Sequence, residues 1–244
     1  AKAFDVTYLD DKGASNSVWA TSWGVSTRLI GAVIMVHSDD TGVVLPPVLA
    51  AIQVVVMPIG NKDAEKQAAV IEAAQSLHDR IAAAGIRVHL DSRISMGMGA
   101  KFYEWERRGV PLRLELGARD VEAGSAMGKL RIGQDKFEVN LGDGAVDEVS
   151  NALVQMKKML LERSEALKER LTVRINSLKE FEKKIQEKEP GMMMVPWGGD
   201  DDDEEKLKDD TGVTLRCYPL RQDPMPPDQV CPLTGKPAKQ WAVF

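Results

Sequence analysis

Residues 52–57, Ile-Gln-Val-Val-Val-Met, form an apolar and largely β-branched run that is typical of a strand buried on both faces. A predicted amphipathic helix, 63–84, follows this strand, and Gly85 is suited to its C-terminus. The alternation of strands and helices continues with strands 86–90 and 110–116, a short helix 100–108, and an edge hairpin of 130–132 with 137–141. This part of the chain is therefore predicted to be an α/β domain with a mixed sheet.

Changes of pattern divide the chain into four predicted parts: 1–48, 49–150, 151–190 and 191–244. The first part holds a strand hairpin and a helix, 28–37, whose apolar residues are expected to bury most of its surface. The third part is helical, and Ser177 with Glu180 fits a capping box, so a break is predicted near Asn176.

The fourth part is predicted to be a small α+β domain with strands at 213–217 and 240–244. Its acidic run, 200–205, is expected to be a solvated loop, because a continuous run of carboxylates lacks the cage that a cation needs. Cys217 is expected to be a buried thiol in the first of these strands. With Cys231 as the second cysteine, a disulfide scaffold is excluded; the pair indicates a reducing compartment or at most one bridge, and a cytoplasmic setting is expected.

The charge of the chain is slightly acidic, with 32 Lys and Arg against 37 Asp and Glu in 244 residues, a net charge of −5. Within 87–136 the balance reverses to 10 basic against 7 acidic residues, a weak indication of a polyanionic partner. A solvated surface of mixed charge explains this stretch equally well. No window approaches the roughly 18 apolar residues of a membrane span, so no membrane partner is expected.

The segment most suited to chemistry is 21–32, Thr-Ser-Trp-Gly-Val-Ser-Thr-Arg-Leu-Ile-Gly-Ala. Gly24 beside Trp23 allows a flat ligand to approach closely, and Ser26 places a hydroxyl near a predicted helix start. Arg28, in the first turn, can bind a phosphate bidentately beside free backbone amides. A nucleotide site is chemically reasonable, although a packing tryptophan and a surface arginine are favoured by these residues alone.

This segment resembles motif 3 of the class II aminoacyl-tRNA synthetases, in the form of the prolyl enzymes of the archaeal and eukaryotic-cytosolic type. The resemblance continues through 31–40, Gly-Ala-Val-Ile-Met-Val-His-Ser-Asp-Asp, then Gly42 with 45–47, Leu-Pro-Pro, and then 109–120, Gly-Val-Pro-Leu-Arg-Leu-Glu-Leu-Gly-Ala-Arg-Asp. Several separated blocks in the same order make it specific, and it covers essentially the whole chain.

The resemblance implies an identity for each of the four parts. Residues 1–48 would be a remnant of the antiparallel catalytic sheet, 49–150 the α/β anticodon-binding domain and 151–190 a helical connector. Residues 191–244 would correspond to the zinc-binding C-terminal domain of the family. The implied activity of the whole enzyme is the ATP- and magnesium-dependent attachment of proline to its tRNA.

Roles in the family transfer to individual residues of the first part. Arg28 would bind the ATP phosphates and Ser26 would contact ATP, while Trp23 and Gly24 would border the proline pocket. Motifs 1 and 2 and a proline-binding histidine are expected before residue 1, so this chain alone is not expected to activate proline. No catalytic residue is assigned, and the homodimer expected of the whole enzyme would form largely through that preceding part.

The resemblance also implies which residues face the anticodon guanines of proline tRNA: Glu106, Arg113, Arg119 and Asp120. An arginine can read the acceptor edge of guanine bidentately, and a carboxylate can accept from its amino and imino groups. Ala118 stands where the family usually has proline, which loosens the turn that presents Arg119. Taken alone, each residue is equally well explained as a surface charge at a sheet rim. The aromatic residues of helix 100–108 are more typical of core than of base stacking.

The four zinc-binding cysteines of the family correspond here to Gly198, Asp203, Cys231 and Thr234. One thiolate of four remains, so no zinc is predicted.

Two other functions are compatible with parts of this pattern. A stand-alone, non-catalytic tRNA-binding or regulatory protein would explain the missing motifs, but it would not need Trp23, Ser26 and Arg28. A synthetase for threonine, glycine or histidine would share the anticodon domain, but the prolyl-like strings and the C-terminal part count against it. No DNA partner is expected for any of the three.

Overall fold

The computed structural model describes residues 2–93, 95–133 and 135–244, and the chain divides into two compact units, one up to Lys157 and one from Lys158 to Phe244. No helix within these ranges is long and apolar enough to cross a membrane. The finer division into four parts stays a prediction.

The first unit begins with a 3₁₀ turn, Lys2–Phe4, a hairpin of strands β1, Thr7–Leu9, and β2, Ser15–Ser17, and helix α1, Arg28–His37. The hairpin was predicted, but its second strand begins earlier because Asp10 tightens the turn. Its carboxylate accepts hydrogen bonds from two backbone N–H groups of the turn, both at 2.9 Å.

Helix α1 has the bounds that the sequence predicts, but the prediction that most of its surface is buried is wrong. None of its residues is buried. Ile30 and Met35 are 65% and 79% exposed. The apolar pattern identifies a helix face but does not say what packs on it.

A five-stranded mixed sheet forms the centre of the first unit, in the order β4-β3-β5-β6-β7. Its strands are β3, Val54–Pro58, β4, Val88–Leu90, β5, Leu112–Leu116, β6, Ser125–Leu130, and β7, Lys136–Asn140. Strand β3 runs parallel to β4 and β5, and the remaining pairs are antiparallel. The predicted mixed sheet and the fully buried central strand are both confirmed. Gln134, in the predicted hairpin turn, lies outside the described residues.

Four helices accompany this sheet: α2, Ala64–Ala83, α3, Met98–Arg107, α4, Ala118–Glu122, and α5, Ala145–Leu171. Residues of α2 and α5 pack with Val54 and Val56 of β3 and with Leu112 and Leu114 of β5 on one face of the sheet. On the opposite face, Trp105 of α3 packs with Val55 and Met57 of β3. This second face carries the candidate site, because α3 lies beside the polar residues of β5 there.

The second unit has a three-stranded sheet in the order β10-β9-β8. Its elements are β8, Thr172–Arg174, α6, Leu178–Glu187, β9, Met192–Trp197, α7, Asp201–Thr211, and β10, Gln240–Val243. Its core contains Phe181, Trp197, Cys231 and Phe244. The predicted break near Asn176 is confirmed, since α5 ends at Leu171 and α6 begins at Leu178. The predicted capping box is only half formed: Ser177 Oγ accepts from the Glu180 N–H at 3.2 Å, but the Glu180 carboxylate accepts from the Asn176 N–H at 2.9 Å and not from that of Ser177.

Three predictions for the C-terminal part are wrong: the acidic loop, the strand at 213–217 and the burial of Cys217. The acidic run is not a loop: Asp200 caps α7, and the following carboxylates form its first turn, where the free amides of a helix favour negative charge. The strand predicted at 213–217 reduces to a single bridge between Cys217 and Val243. Cys217 is therefore exposed, while Cys231 is the buried thiol, and neither forms a disulfide.

Candidate nucleic-acid interface

Charged side chains of β5, β6 and β7 share the face of the sheet that α3 covers at β3. Arg113 of β5 lies opposite Lys129 of β6, and Lys129 lies opposite Lys136 of β7. Glu115 is two residues from Arg113, so the strand period places it on the same face. Arg113, Glu115, Lys129 and Lys136 are called the charged face below.

A chain of ion pairs connects this face to helix α3. Glu106 Oε1 lies 2.7 Å from Arg113 Nη1, and Arg113 Nε lies 2.9 Å from Glu115 Oε1. Glu115 Oε2 lies 2.7 Å from Lys136 Nζ. The two ends of the chain, Glu106 and Lys136, have side chains that are 38% and 44% exposed, whereas Arg113 and Glu115 are 13% and 6% exposed. Alternating charges are thus held in a fixed order, with the outer two open to solvent.

The guanidinium of Arg113 also stacks on an aromatic ring. Its Cζ lies 4.1 Å from the centroid of Phe102, within the range of a cation–π contact. In the described part of the chain, no hydrogen bond uses Arg113 Nη2. Arg113 is therefore oriented by three neighbours and keeps donors for a ligand.

Helix α3 is anchored below this site by a buried charge cluster. Asp91, 1% exposed, accepts from Trp105 Nε1 and Arg93 Nε, both at 2.9 Å. Lys101 is completely buried, and its Nζ lies 3.5 Å from Asp91 Oδ1. Burial alone would raise the pKa of Asp91, but the hydrogen bonds from Arg93 and Trp105 outweigh it and hold that pKa well below its usual range. The helix that carries Phe102 and Glu106 therefore has a rigid base.

The C-terminus of α3 is held by a loop from the N-terminal part of the same unit. Two glycines permit a close backbone approach: a Cβ on Gly42 would lie 2.8 Å from Arg107 Cα, and one on Gly109 would lie 2.8 Å from Val43 O. Both glycines have positive φ, +143° and +72°. Arg131 Nε donates to Val43 O at 3.1 Å and to Glu106 O at 3.2 Å, which fixes the backbone that carries Glu106.

The structure brings together only two of the four residues expected to face the anticodon, Glu106 and Arg113. The other two lie on α4: Arg119 is exposed, and Asp120 Oδ2 accepts from the Gly117 N–H at 2.8 Å as part of the helix cap. Sequence reasoning missed Glu115 and Lys136 as members of the site. The two-residue period of β5 could have identified Glu115, whereas Lys136 needed the register of β6 and β7.

The residues of the motif-3 segment lie on an exposed stretch. Trp23 is 95% exposed, Gly24, Ser26 and Arg28 are also exposed, and Arg28 is the first residue of α1. Thr27, the N-cap residue, makes no side-chain cap hydrogen bond. Their roles in binding ATP and proline stay predictions.

The residues at the family's zinc positions do not fit a metal. Lys236 Nζ lies 2.5 Å from Asp203 Oδ2 and 2.8 Å from Asp200 Oδ2, so an ammonium group already neutralises the carboxylate. Gly198 offers no side-chain ligand, and Cys231 is buried in the apolar core. Across residues 2–93, 95–133 and 135–244, no group of three or more His, Cys, Asp or Glu could hold a metal ion.

Two segments of the chain match known protein families. Residues 53–156, which include the charged face and Glu106, match the family described as anticodon binding domain. Residues 178–244 match the family described as prolyl-tRNA synthetase, C-terminal.

Three similar proteins are all named proline–tRNA ligase. The chain is 41% identical over 244 residues to the proline–tRNA ligase of Porphyromonas gingivalis, covering 100% of this chain and 48% of that protein. It is 40% identical over 244 residues to that of Flavobacterium johnsoniae, covering 100% and 49%. It is 38% identical over 249 residues to the chloroplastic/mitochondrial enzyme of Arabidopsis thaliana, covering 100% and 45%. The chain spans about half the length of these relatives, and the matches support the C-terminal portion of a prolyl-tRNA synthetase.

Proposed function

We propose that the chain is the anticodon-reading portion of a proline–tRNA ligase, an enzyme that attaches proline to its tRNA with ATP and magnesium. The observation that carries this proposal is the Glu106–Arg113 pair, 2.7 Å apart on a domain that matches the anticodon-binding family. The pair places an acceptor and a donor side by side at a partly exposed position. Guanine presents the complementary groups, so the pair is suited to a guanine of the anticodon.

The contacts of Arg113 determine how it would read guanine. Glu115 occupies Nε and Glu106 occupies Nη1, so Nη2 and the second hydrogen of Nη1 remain for the O6 and N7 acceptors. In the described part of the chain, Oε2 of Glu106 makes no hydrogen bond and is available for imino and amino groups. Arg119 and Asp120, at the start of α4, are proposed as a second contact with the same loop, and the exposure of Arg119 supports this.

The N-terminal part is proposed to supply a wall of the ATP site. Arg28 at the N-terminus of α1 would bind the ATP phosphates with Ser26, and Trp23 with Gly24 would border the proline pocket. The exposed position of Arg28 in the first turn of α1, where Thr27 makes no side-chain cap, supports an anionic ligand. The exposed apolar residues of α1 support its membership of a larger catalytic sheet. We further propose the archaeal and eukaryotic-cytosolic type, a homodimer and a cytoplasmic setting.

The test is a binding measurement with an anticodon stem-loop of proline tRNA at fixed moderate salt. We expect the wild-type chain to prefer the guanine-containing loop over loops with adenine in place of each guanine by about tenfold or more, since a bidentate contact contributes about 1–3 kcal/mol. Arg113→Gln should remove this preference, while Arg107→Gln, at an exposed arginine of α3, should keep it. Equal affinity of the wild type for all loops would contradict the proposal.

A further inference from the structure

Glu115 is an almost buried carboxylate in the middle of the charged face. Its side chain is 6% exposed, and each of its oxygens contacts a different cation: Oε1 contacts Arg113 Nε at 2.9 Å, and Oε2 contacts Lys136 Nζ at 2.7 Å. Both oxygens already have a cationic partner. Glu115 is therefore placed to orient its neighbours and not to contact a ligand itself.

Stability alone does not explain a carboxylate at this position. Across the sheet, Glu115 lies opposite Met57 of β3 and Met127 of β6, so its neighbours in register are apolar. Burying an ionised carboxylate between such residues costs free energy, and an apolar side chain in place of an ion pair is often neutral or stabilising. The charge is better explained by what it does to Arg113.

Arg113 has its planar guanidinium fixed in three directions. Glu115 holds the Nε edge, Glu106 holds one hydrogen of Nη1, and the Phe102 ring lies 4.1 Å from Cζ on one face of the plane. A guanidinium has two edges that can form bidentate contacts, Nε with Nη2 and Nη1 with Nη2. With Nε occupied, only the second edge can face a base.

We propose that Glu115 is a positioning residue for base recognition, which selects the Nη1–Nη2 edge of Arg113 as the edge that reads guanine. Lys136, on the other oxygen, holds the carboxylate turned toward Arg113. Without the carboxylate, the guanidinium can rotate, and its Nε edge becomes available to phosphate or to Glu106. Binding would then persist through charge, but the choice of base would weaken. This inference rests on the proposed function.

The experiment measures the binding of Glu115→Gln and of wild type to three kinds of anticodon stem-loop. At each anticodon guanine in turn, the loop carries guanine, adenine or 7-deazaguanine. Glutamine keeps the shape and one acceptor but removes the charge. Glu72→Gln is the matched control, because Glu72 is an exposed carboxylate of α2, on the opposite face of the sheet, and its replacement removes the same charge. Thermal unfolding of each variant confirms that it is folded.

We expect Glu115→Gln to reduce the preference for guanine over adenine by about fivefold or more, and to reduce the penalty for 7-deazaguanine, which lacks the N7 acceptor. Glu72→Gln should change neither. A preference equal to wild type, or a uniform loss of affinity for all three loops, would overturn the positioning role.

Two further arms keep the result decisive. If Glu115→Gln does not fold, Glu115→Asp is tested in its place. Aspartate retains the charge but is one methylene shorter, so this variant should lose the Arg113 contact and the guanine preference together. An unchanged guanine preference in Glu115→Asp overturns the proposal. If wild type itself does not distinguish the loops, the proposed function fails. A wild-type preference that Glu115 variants leave intact removes only the positioning role.

Discussion

Arg131 and Asp39, 92 positions apart in the chain, form a two-point ion pair: Nη2 lies 2.6 Å from Oδ1 and Nη1 lies 3.0 Å from Oδ2. The Arg131 side chain is 4% exposed. Its hydrogen bonds hold the pKa of Asp39 well below its usual range. Since the same guanidinium donates to Val43 O and Glu106 O, one side chain connects the segment after α1 with the helix that carries Glu106.

Removing this connection should destabilise the first unit. Arg131→Met leaves several backbone acceptors and the Asp39 carboxylate without their donor, and we expect a loss of about 2–4 kcal/mol in the free energy of unfolding, measured with urea. Arg107→Gln, at an exposed arginine, should cost less than about 0.5 kcal/mol. An Arg131→Met chain as stable as that control would contradict the structural role assigned to this guanidinium.

The buried cluster under α3 should show strong coupling between its two opposite charges. Asp91→Asn leaves Lys101 completely buried without a counter-charge, and we expect a loss of about 3–5 kcal/mol. Combining it with Lys101→Met should recover at least about 1 kcal/mol, because the stranded ammonium is gone. Denaturant unfolding of the two single variants and the double variant gives the coupling energy. Strict additivity would show that the two side chains act independently.

Lys129 should contribute to affinity without contributing to the choice of base. Its ammonium lies on the charged face and donates to Gly133 O at 2.9 Å, a position suited to a phosphate contact. Lys129→Gln should weaken binding to all stem-loops by the same factor and lower the slope of log affinity against log salt by about 0.7. Titrations at several salt concentrations test this, with Lys157→Gln on α5 as the control. A change in the guanine preference would contradict the assignment.

Asp200, whose carboxylate caps α7, should have a pKa below its ordinary value. Lys236 and the Asp203 N–H lower the pKa of Asp200 from 3.8 to about 2. Because the folded value is the lower one, this ion pair stabilises the folded state above about pH 4, and the contribution is lost as the pH falls toward 2. Carboxyl NMR titration should show the Asp200 pKa rising toward its ordinary value in Lys236→Gln but not in Lys239→Gln. An unaltered pKa in Lys236→Gln would assign the shift to the helix cap alone.

Periodic segments of the chain were predictable, and isolated ones were not. The central strand β3 and helix α2 each repeat one burial pattern over enough residues to identify them. Strand β9 was not predicted, because it contains Pro196 and proline is unusual in a strand. In the structure, Pro196 lies opposite Trp241 of β10, which is distant in the sequence. The predictions that α1 and Cys217 are buried were wrong for a related reason: a local sequence pattern does not specify what packs against it.

Some residues of the candidate site were predictable from the sequence and others were not. Glu106 and Arg113 were predicted from family resemblance, and the structure places them in contact. The roles of Arg119 and Asp120 stay predictions, and the structure gives the Asp120 carboxylate a local capping task. Glu115 and Lys136 could not be predicted as partners, because their contact crosses two strand registers that only the folded sheet defines.

The 2.7 Å contact between Glu106 and Arg113 means that an acceptor and a donor are already paired before any ligand binds. Within the described residues, Arg113 Nη2 and Glu106 Oε2 make no hydrogen bond, so a base with matching groups would add contacts without displacing this one. A base with the wrong edge would cover these two atoms and satisfy neither, and such unpaired groups are costly. Under the proposed function, discrimination at this pair depends as much on rejecting the wrong base as on binding the right one.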